Sequence, residues 1–422
     1  MISNEKINSS TYKTVKILVA PLDWGLGHAT RCVPVIKELI NQQCEVWIAA
    51  AGVQRTLLQE EFPSLSFVEL PGYEIKYGKN RALTIFRLLC SIPKILIRIK
   101  QEKAWLRAFR AAERPDAIIS DNRYGLYAPG LCSVFITHQL CIRTPFGKVA
   151  DGWLRRINYR AIRSFSRCWV PDIEGDRSLA GELSHPARLP DIPTRYIGWL
   201  SRFGEELDAY GRGTGEGEIP GSLLVLLSGP EPQRTILEKK ILEQAGSYAG
   251  RITLVRGLPG EKTRKPDGRP RREGADGPAE WAADLRSASH ACGSFPAAGE
   301  GLIVYDHLPA KALAPLIREA EVVLSRSGYS TVMDLATLGK RAVLIPTPGQ
   351  TEQEYLGAYL AGKQWAVCVK QSEFSLTEAV RMARNFPYTW KGGDDGSDLL
   401  RREIRSLLEE LGGADQSFPD LG

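Results

Sequence analysis

The sequence predicts an α/β protein built from two doubly wound, Rossmann-like units, and three observations carry that expectation. Residues 15–20 (VKILVA) are a short apolar run, followed by the turn PLDWGLGHATR, apolar residues at helical spacing (Val33, Ile36, Leu39, Ile40) and a second run at 45–50. Strand, turn, helix, strand is the βαβ unit of a parallel sheet, whose strands are buried on both faces and read as unbroken apolar runs. The same order restarts at residues 222–227, after a Gly- and acid-rich stretch at 203–221 with the composition of a linker. At 422 residues the chain is also long enough for two domains of ordinary size.

These features divide the chain into an N-terminal unit at 1–202, a linker at 203–221, a second unit at 222–395 and a C-terminal helix and tail at 396–422. Residues 260–301 are rich in Gly, Ala, Pro and Arg without periodicity, which reads as a long mobile insertion with no packed core. Leu399, Ile404, Leu407 and Leu411 give the last helix an apolar stripe that could return it to the first domain.

Composition excludes several classes. Hydrophobic content of 43% and charged content of 25% are those of a soluble globular protein. The eight cysteines form no CxxC pair and no metal-ligand spacing with the five histidines. The N-terminus lacks the apolar core of a signal peptide, and no apolar run reaches the roughly 20 residues of a membrane span. A cytoplasmic protein with free thiols is expected. The net charge of +6 is uneven: residues 76–110 hold ten Lys or Arg against one acid, Glu102, a local +9, so the rest sums to −3. That is a basic patch rather than a nucleic-acid binder.

In order along the chain, the first turn reads Gly25-Leu26-Gly27-His28-Ala29-Thr30. It lacks the third Gly of a dinucleotide fingerprint, and Ala49-Ala50-Ala51 stands where an acid would take a ribose, so a dinucleotide site is rejected. The turn does offer His28 at a helix start beyond the C-terminal end of a strand, where open α/β sheets place reactive groups. The alternative is a capping or core histidine. Arg31, one turn on, could bind an anionic group. The run at 115–120 ends in Asp121, again at a strand end, either a functional carboxylate or the cap of the next turn. The run at 134–137 leads to His138 at the same rim.

Residues 82–114 mix bulky apolar residues with spaced Arg and Lys. Such a segment can rest on an anionic membrane, or be a core helix with a solvated basic face. Pro93 is expected to break or kink any helix there.

The second unit carries two candidate phosphate-side turns. Ser228 and Gly229 close its first strand. Residues 319–357 (EAEVVLSRSGYSTVMDLATLGKRAVLIPTPGQTEQEYLG) contain a buried strand, a turn through Arg326, Ser327 and Gly328, and then a helix. The first N–H groups of a helix have no intrahelical partner and, with the helix dipole, can hold a phosphate. Asp334 lies one turn inside that helix, where a carboxylate can accept from a ribose diol. Glu352 and Gln353 follow the next strand within reach of sugar hydroxyls. The alternative is an ordinary strand–turn–helix whose Ser and Gly only cap the helix.

RSGYSTVMD followed by PTPGQTEQE resembles the donor half-site of family 28 glycosyltransferases of the GT-B fold. The resemblance covers both halves of the chain, weakly between motifs. It implies two domains facing across a cleft, with Ser327, Gly328, Tyr329, Ser330 and Thr331 at the diphosphate, Asp334 at the ribose, and Glu352 and Gln353 at the sugar. Asp334 departs from the Glu that many members carry. His307-Leu308 falls where members hold the base, and Ser228-Gly229 where they have a second loop, though theirs lacks the neighbouring prolines. On the acceptor side it implies Gly27 and His28, with His28 taking the acceptor's proton and Asp121 orienting it. The implied reaction moves a hexosyl or N-acetylhexosaminyl group from a nucleotide-diphosphate sugar, UDP-linked, to an acceptor hydroxyl of a lipid or cell-envelope glycan. It inverts the anomeric centre with neither cofactor nor metal, in the cytoplasm or on the inner face of its membrane. A UDP-sugar epimerase and a non-catalytic nucleotide-sugar binder are the alternatives.

Overall fold

A computed structural model of the chain describes residues 14–75, 78, 80–204, 217–259, 301–390 and 396–413. The expected insertion at 260–301, apart from Gly301, and most of the linker at 203–221 therefore lie outside the described residues.

The N-terminal unit runs β1 (Lys16–Pro21), α1 (Leu26–Asn41), β2 (Glu45–Ala49), α2 (Gly52–Glu61), β3 (Ser66–Val68), α3 (Arg81–Glu113), β4 (Ala117–Asp121), β5 (Cys132–Ile136), α4 (Lys148–Ile162), β6 (Arg167–Val170) and β7 (Thr194–Tyr196). The strands form one sheet in the order β3-β2-β1-β4-β5-β6-β7, parallel throughout. The chain thus starts mid-sheet, winds to one edge and returns to wind to the other, the doubly wound pattern. That reversal leaves the C-terminal ends of β1 and β4 side by side, with Pro21 opposite Asp121.

The second unit runs β8 (Ile219–Leu226), α5 (Gln233–Ala245), β9 (Arg251–Val255), β10 (Leu302–Tyr305), α6 (Ala310–Glu319), β11 (Ala320–Ser325), α7 (Tyr329–Thr337), β12 (Ala342–Leu344), α8 (Thr351–Gly362), β13 (Val367–Cys368) and α9 (Leu376–Asn385). Its sheet, β10-β9-β8-β11-β12-β13, is also parallel and doubly wound. Here β8 and β11 lie side by side at the reversal, so the turns after both open at one edge of the sheet.

The last helix, α10 (Ser397–Leu408), packs back on the N-terminal unit. Ile404 and Leu407 are fully buried in one apolar cluster with Ile36 and Leu39 of α1. Burial of such a side chain stabilises by about 1.5–3 kcal/mol each. The Gln42 side chain also donates to the Arg401 carbonyl at 3.3 Å, and Arg167 pairs with Glu410.

Helix α3 departs from expectation, running unbroken from Arg81 to Glu113 through Pro93. Pro93 is exposed, so the carbonyl it leaves without an N–H partner can be hydrated. Asn80 caps the helix start by accepting from the Leu83 N–H at 2.9 Å.

Candidate active site

Two strand ends build the N-terminal side of the site. Gly25 turns the chain out of β1 with φ 101°, a left-handed conformation that favours glycine, and α1 then begins so early that His28 lies in its first turn. Asp121 is the last residue of β4, and the β1–β4 register brings it under that turn. His28 Nδ1 lies 2.9 Å from Asp121 Oδ2. Asp121 is fully buried, while the His28 side chain keeps 16% exposure, so the pair opens to solvent on the imidazole side.

Arg31, one turn further along α1, packs across the same pair. Its Nε lies 3.0 Å from both Asp121 oxygens, and Nη2 also pairs with Oδ1. Its Nη1 lies 3.1 Å from His138 Nδ1. A guanidinium can only donate, so His138 accepts at Nδ1 and carries its proton on Nε2. That proton points at Glu352, with Nε2 2.7 Å from Oε1, and the Gln139 side chain donates to the other carboxylate oxygen.

Burial sets the charges. It lowers the His28 pKa, and the Arg31 charge lowers it further, against the opposing pull of Asp121. Burial disfavours the Asp121 carboxylate, but Arg31 and His28 outweigh it and hold its pKa below the usual value. Glu352 behaves likewise: His138 and Arg31 overcome the cost of its burial.

The C-terminal unit presents the start of α7. Gly328 is its N-cap and no side chain caps the helix, the kind of helix start at which backbone N–H groups can meet an anion. Ser330 Oγ donates to the Gly27 carbonyl at 2.7 Å, and the Tyr329 ring stacks on His138 at 4.2 Å. Tyr329 also donates its hydroxyl to the Pro171 carbonyl at 2.6 Å. The α7 N-terminus therefore meets the His28 turn directly. Gly229 takes φ 96° at the turn after β8, and the His307 ring of the second unit lies 3.5 Å from Glu60 of α2, with the buried Leu308 next to it in sequence.

Several expected donor contacts are redirected. Arg326 is fully buried and donates to the carbonyls of Gln233 at 2.7 Å and Ile345 at 3.2 Å; burial lowers its pKa to about 9. It braces the turn from within instead of lining it. The Ser327 hydroxyl donates to the Gln353 carbonyl, and the Gln353 side chain accepts from the Thr347 N–H, so both hold loop shape. Asp334 accepts from Ser201 Oγ at 2.8 Å and the Arg202 N–H at 3.3 Å, tying α7 to the segment leaving the first domain. Glu352, expected at a sugar, is engaged by His138 and Gln139 of the opposite unit. Arg31 has 2% exposure, which leaves no face for an external anion.

Sequence reasoning missed one surface. Beside the exposed Phe86, Leu89, Ile92, Leu96 and Ile97 of α3, a second apolar face is exposed at Phe146 and on α4 at Val149, Trp153 and Ile157. The alternation of Trp153 and Ile157 with Arg155, Arg156 and Arg160 was its available signal.

Residues 297–389 match the glycosyltransferase family 28 C-terminal domain. The matched stretch lies within the C-terminal unit. Two solved structures share the arrangement of both units: a spinosyn forosaminyltransferase, with a TM-score of 0.51 and 12% identity over 95% of this chain and 100% of its own, and a glycotransferase of kitacinnamycin, with a TM-score of 0.53 and 14% identity over 96% and 100%. The fold is therefore GT-B. A UDP-N-acetylglucosamine–N-acetylmuramyl-(pentapeptide) pyrophosphoryl-undecaprenol N-acetylglucosamine transferase of Bradyrhizobium diazoefficiens is 37% identical over 82 residues, 17% of this chain and 22% of that protein. The chain thus covers about a fifth of that relative's length. The Mannheimia succiniciproducens protein of the same name is 22% identical over 386 residues, 88% of this chain and 89% of its own.

Proposed function

We propose that this family 28 protein transfers an N-acetylglucosaminyl or closely related hexosyl group from a UDP-sugar to a hydroxyl of a lipid-linked cell-envelope acceptor. The observation that carries the reading is the meeting of the His28–Asp121 pair with the α7 N-terminus, joined by the hydrogen bond from Ser330 to Gly27. A base and an anion site on adjoining walls of one cleft suit displacement of a nucleoside diphosphate. The family match and the names of the relatives support the donor class and a lipid acceptor.

In this reading Asp121 accepts the Nδ1 proton of His28, which leaves the Nε2 lone pair for the acceptor O–H. The acceptor oxygen bonds to the anomeric carbon as its proton passes to Nε2 and the bond to the diphosphate oxygen breaks. The departing negative charge falls on the N–H groups at the start of α7, already oriented before the bond breaks. A single displacement of this kind inverts the anomeric centre.

The acceptor class also gives the two exposed apolar faces a purpose. Phe86, Leu89, Ile92, Leu96 and Ile97 lie among the cations of the basic segment, the pattern of a helix resting in an anionic interface. Among the described residues no helix is long and apolar enough to cross a membrane, so the proposed contact is peripheral, on the inner face of the cytoplasmic membrane.

The test is transfer from labelled UDP-N-acetylglucosamine to a polyprenyl-diphosphate glycan in detergent micelles. Acceptor-dependent incorporation supports the reading. Nucleotide binding without transfer to any lipid-linked glycan would reduce the protein to a binder.

A further inference from the structure

The transferase reading assigns no role to Arg31, yet Arg31 contacts Asp121, His28 and His138 together. It spans both Asp121 oxygens through Nε at 3.0 Å, adds Nη2 to Oδ1, and reaches His138 Nδ1 through Nη1 at 3.1 Å. Its Nη2 also lies 2.8 Å from His28 Nδ1, the atom that lies 2.9 Å from Asp121. We propose that Arg31 is a positioning residue, whose fork fixes the Asp121 carboxylate and the His138 ring and thereby selects the His28 tautomer that can act as a base.

The argument is an accounting of protons. His28 Nδ1 can serve one neighbour only. If it bears a proton it donates to Asp121, and the Nε2 lone pair faces the cleft; if it is bare it accepts from Arg31, and Nε2 carries the proton and is idle. Nη2 has two N–H groups, and Asp121 Oδ1 takes one of them. A bare Nδ1 would set its lone pair 2.9 Å from those of Asp121 Oδ2 with no proton between them, whereas Nδ1–H donates to an ionised carboxylate that the Arg31 fork holds in place, and the base tautomer is favoured.

Arg31 also settles the charge. The groups around His28 are Asp121 from β4, Arg31 on its own helix, His138 after β5, Glu352 from α8, and Cys32, whose sulfur lies 4.0 Å from Asp121. Without Arg31, the buried Asp121 carboxylate would face the imidazole uncompensated and draw a proton onto it, and an imidazolium is no base. A buried guanidinium keeps Asp121 ionised and His28 neutral together. This agrees with the lowered His28 pKa, to which burial contributes most and Arg31 next.

The inference rests on the transferase reading for its purpose but is tested without activity. In the full-length protein with ¹⁵N-labelled imidazoles, His28 being assigned by its loss in His28→Gln, the nitrogen shifts report tautomer and titration midpoint. The expected result is a neutral His28 with its proton on Nδ1 at pH 7 and a midpoint below the ordinary 6.5. Arg31→Gln should raise that midpoint by about one pH unit or more and carry the acidic limb of kcat/KM upward with it, with nucleotide affinity unchanged. Arg31→Lys should keep the low midpoint, since the charge stays, but lose rate with the fork. A wild-type midpoint at or above 6.5, a proton on Nε2, or an Arg31→Gln midpoint equal to the wild type would overturn the proposal. Should Arg31→Gln not fold, the wild-type tautomer and the Arg31→Lys midpoint decide. If the imidazole behaves as described but no sugar is transferred, the transferase reading falls and the role of Arg31 stands.

Discussion

Ser330 of α7 donates its hydroxyl to the Gly27 carbonyl at 2.7 Å, so a helix start with no side-chain cap touches the turn that carries His28. The hydrogen bond couples the two units directly and makes their approach sensitive to the size of residue 27. A Cβ at Gly27 would stand 2.9 Å from Ser330 Oγ and 3.3 Å from its Cβ.

Gly27→Ala should therefore hold the domains apart and lower kcat/KM about tenfold, equivalent to about 1.4 kcal/mol. Adding Ser330→Gly removes the obstructing atoms and should restore most of the loss, a coupling that independent sites do not show. If the double variant is as slow as the product of the two single ones, the domains do not close through this contact.

Asp334 gives a second double-mutant test. Its carboxylate accepts from Ser201 and from the Arg202 N–H, at the segment that joins the two domains. If it acts on the nucleotide through that segment, Asp334→Asn and Ser201→Ala should each weaken UDP binding by about 1 kcal/mol, and together by no more than either alone. Loss of UDP affinity in Asp334→Asn alone, with Ser201→Ala unaffected, would mark direct contact with the ribose.

The apolar faces of α3 and α4 should carry the protein onto vesicles containing anionic lipid and release it as salt rises. Leu96→Glu and Trp153→Glu should each reduce co-sedimentation without changing the melting temperature, because both side chains are more than half exposed. Equal partitioning onto neutral and anionic vesicles would contradict an electrostatic contact.

If the α7 N–H groups carry the departing charge, excess EDTA should leave the transfer rate within a factor of two. A loss of rate that Mg²⁺ or Mn²⁺ restores would place a metal at the leaving group instead.

The fold was legible where burial is two-sided. β1, β4 and β11 are buried in the middle of their sheets, so their central positions select apolar side chains and the runs stand out. β3 and β13, of three and two residues, are too short to leave such a run. Pro93 misled because the carbonyl it frees lies on an exposed face, where hydration offsets part of a proline's cost, and exposure cannot be read from one residue type. Within the site, His28 and Asp121 could be singled out separately, each by its place at a strand end. Their hydrogen bond could not, since it joins residues 93 positions apart and depends on the register between β1 and β4. Arg326 shows the opposite error: beside a phosphate-type turn an arginine reads as an anion ligand, whereas here Nη1 and Nη2 both donate to backbone carbonyls.

The central claim, that His28 takes the proton of the acceptor hydroxyl across the cleft from a separately built donor site, is tested most directly by His28→Ala, with single-turnover transfer measured beside nucleotide affinity. A base contributes in the transition state alone, so the rate should fall by about 10² to 10⁴ while affinity for UDP stays within a few-fold. Full transfer by His28→Ala would contradict the claim, and so would a loss of UDP affinity that matches the loss of rate, which would place His28 in the donor site.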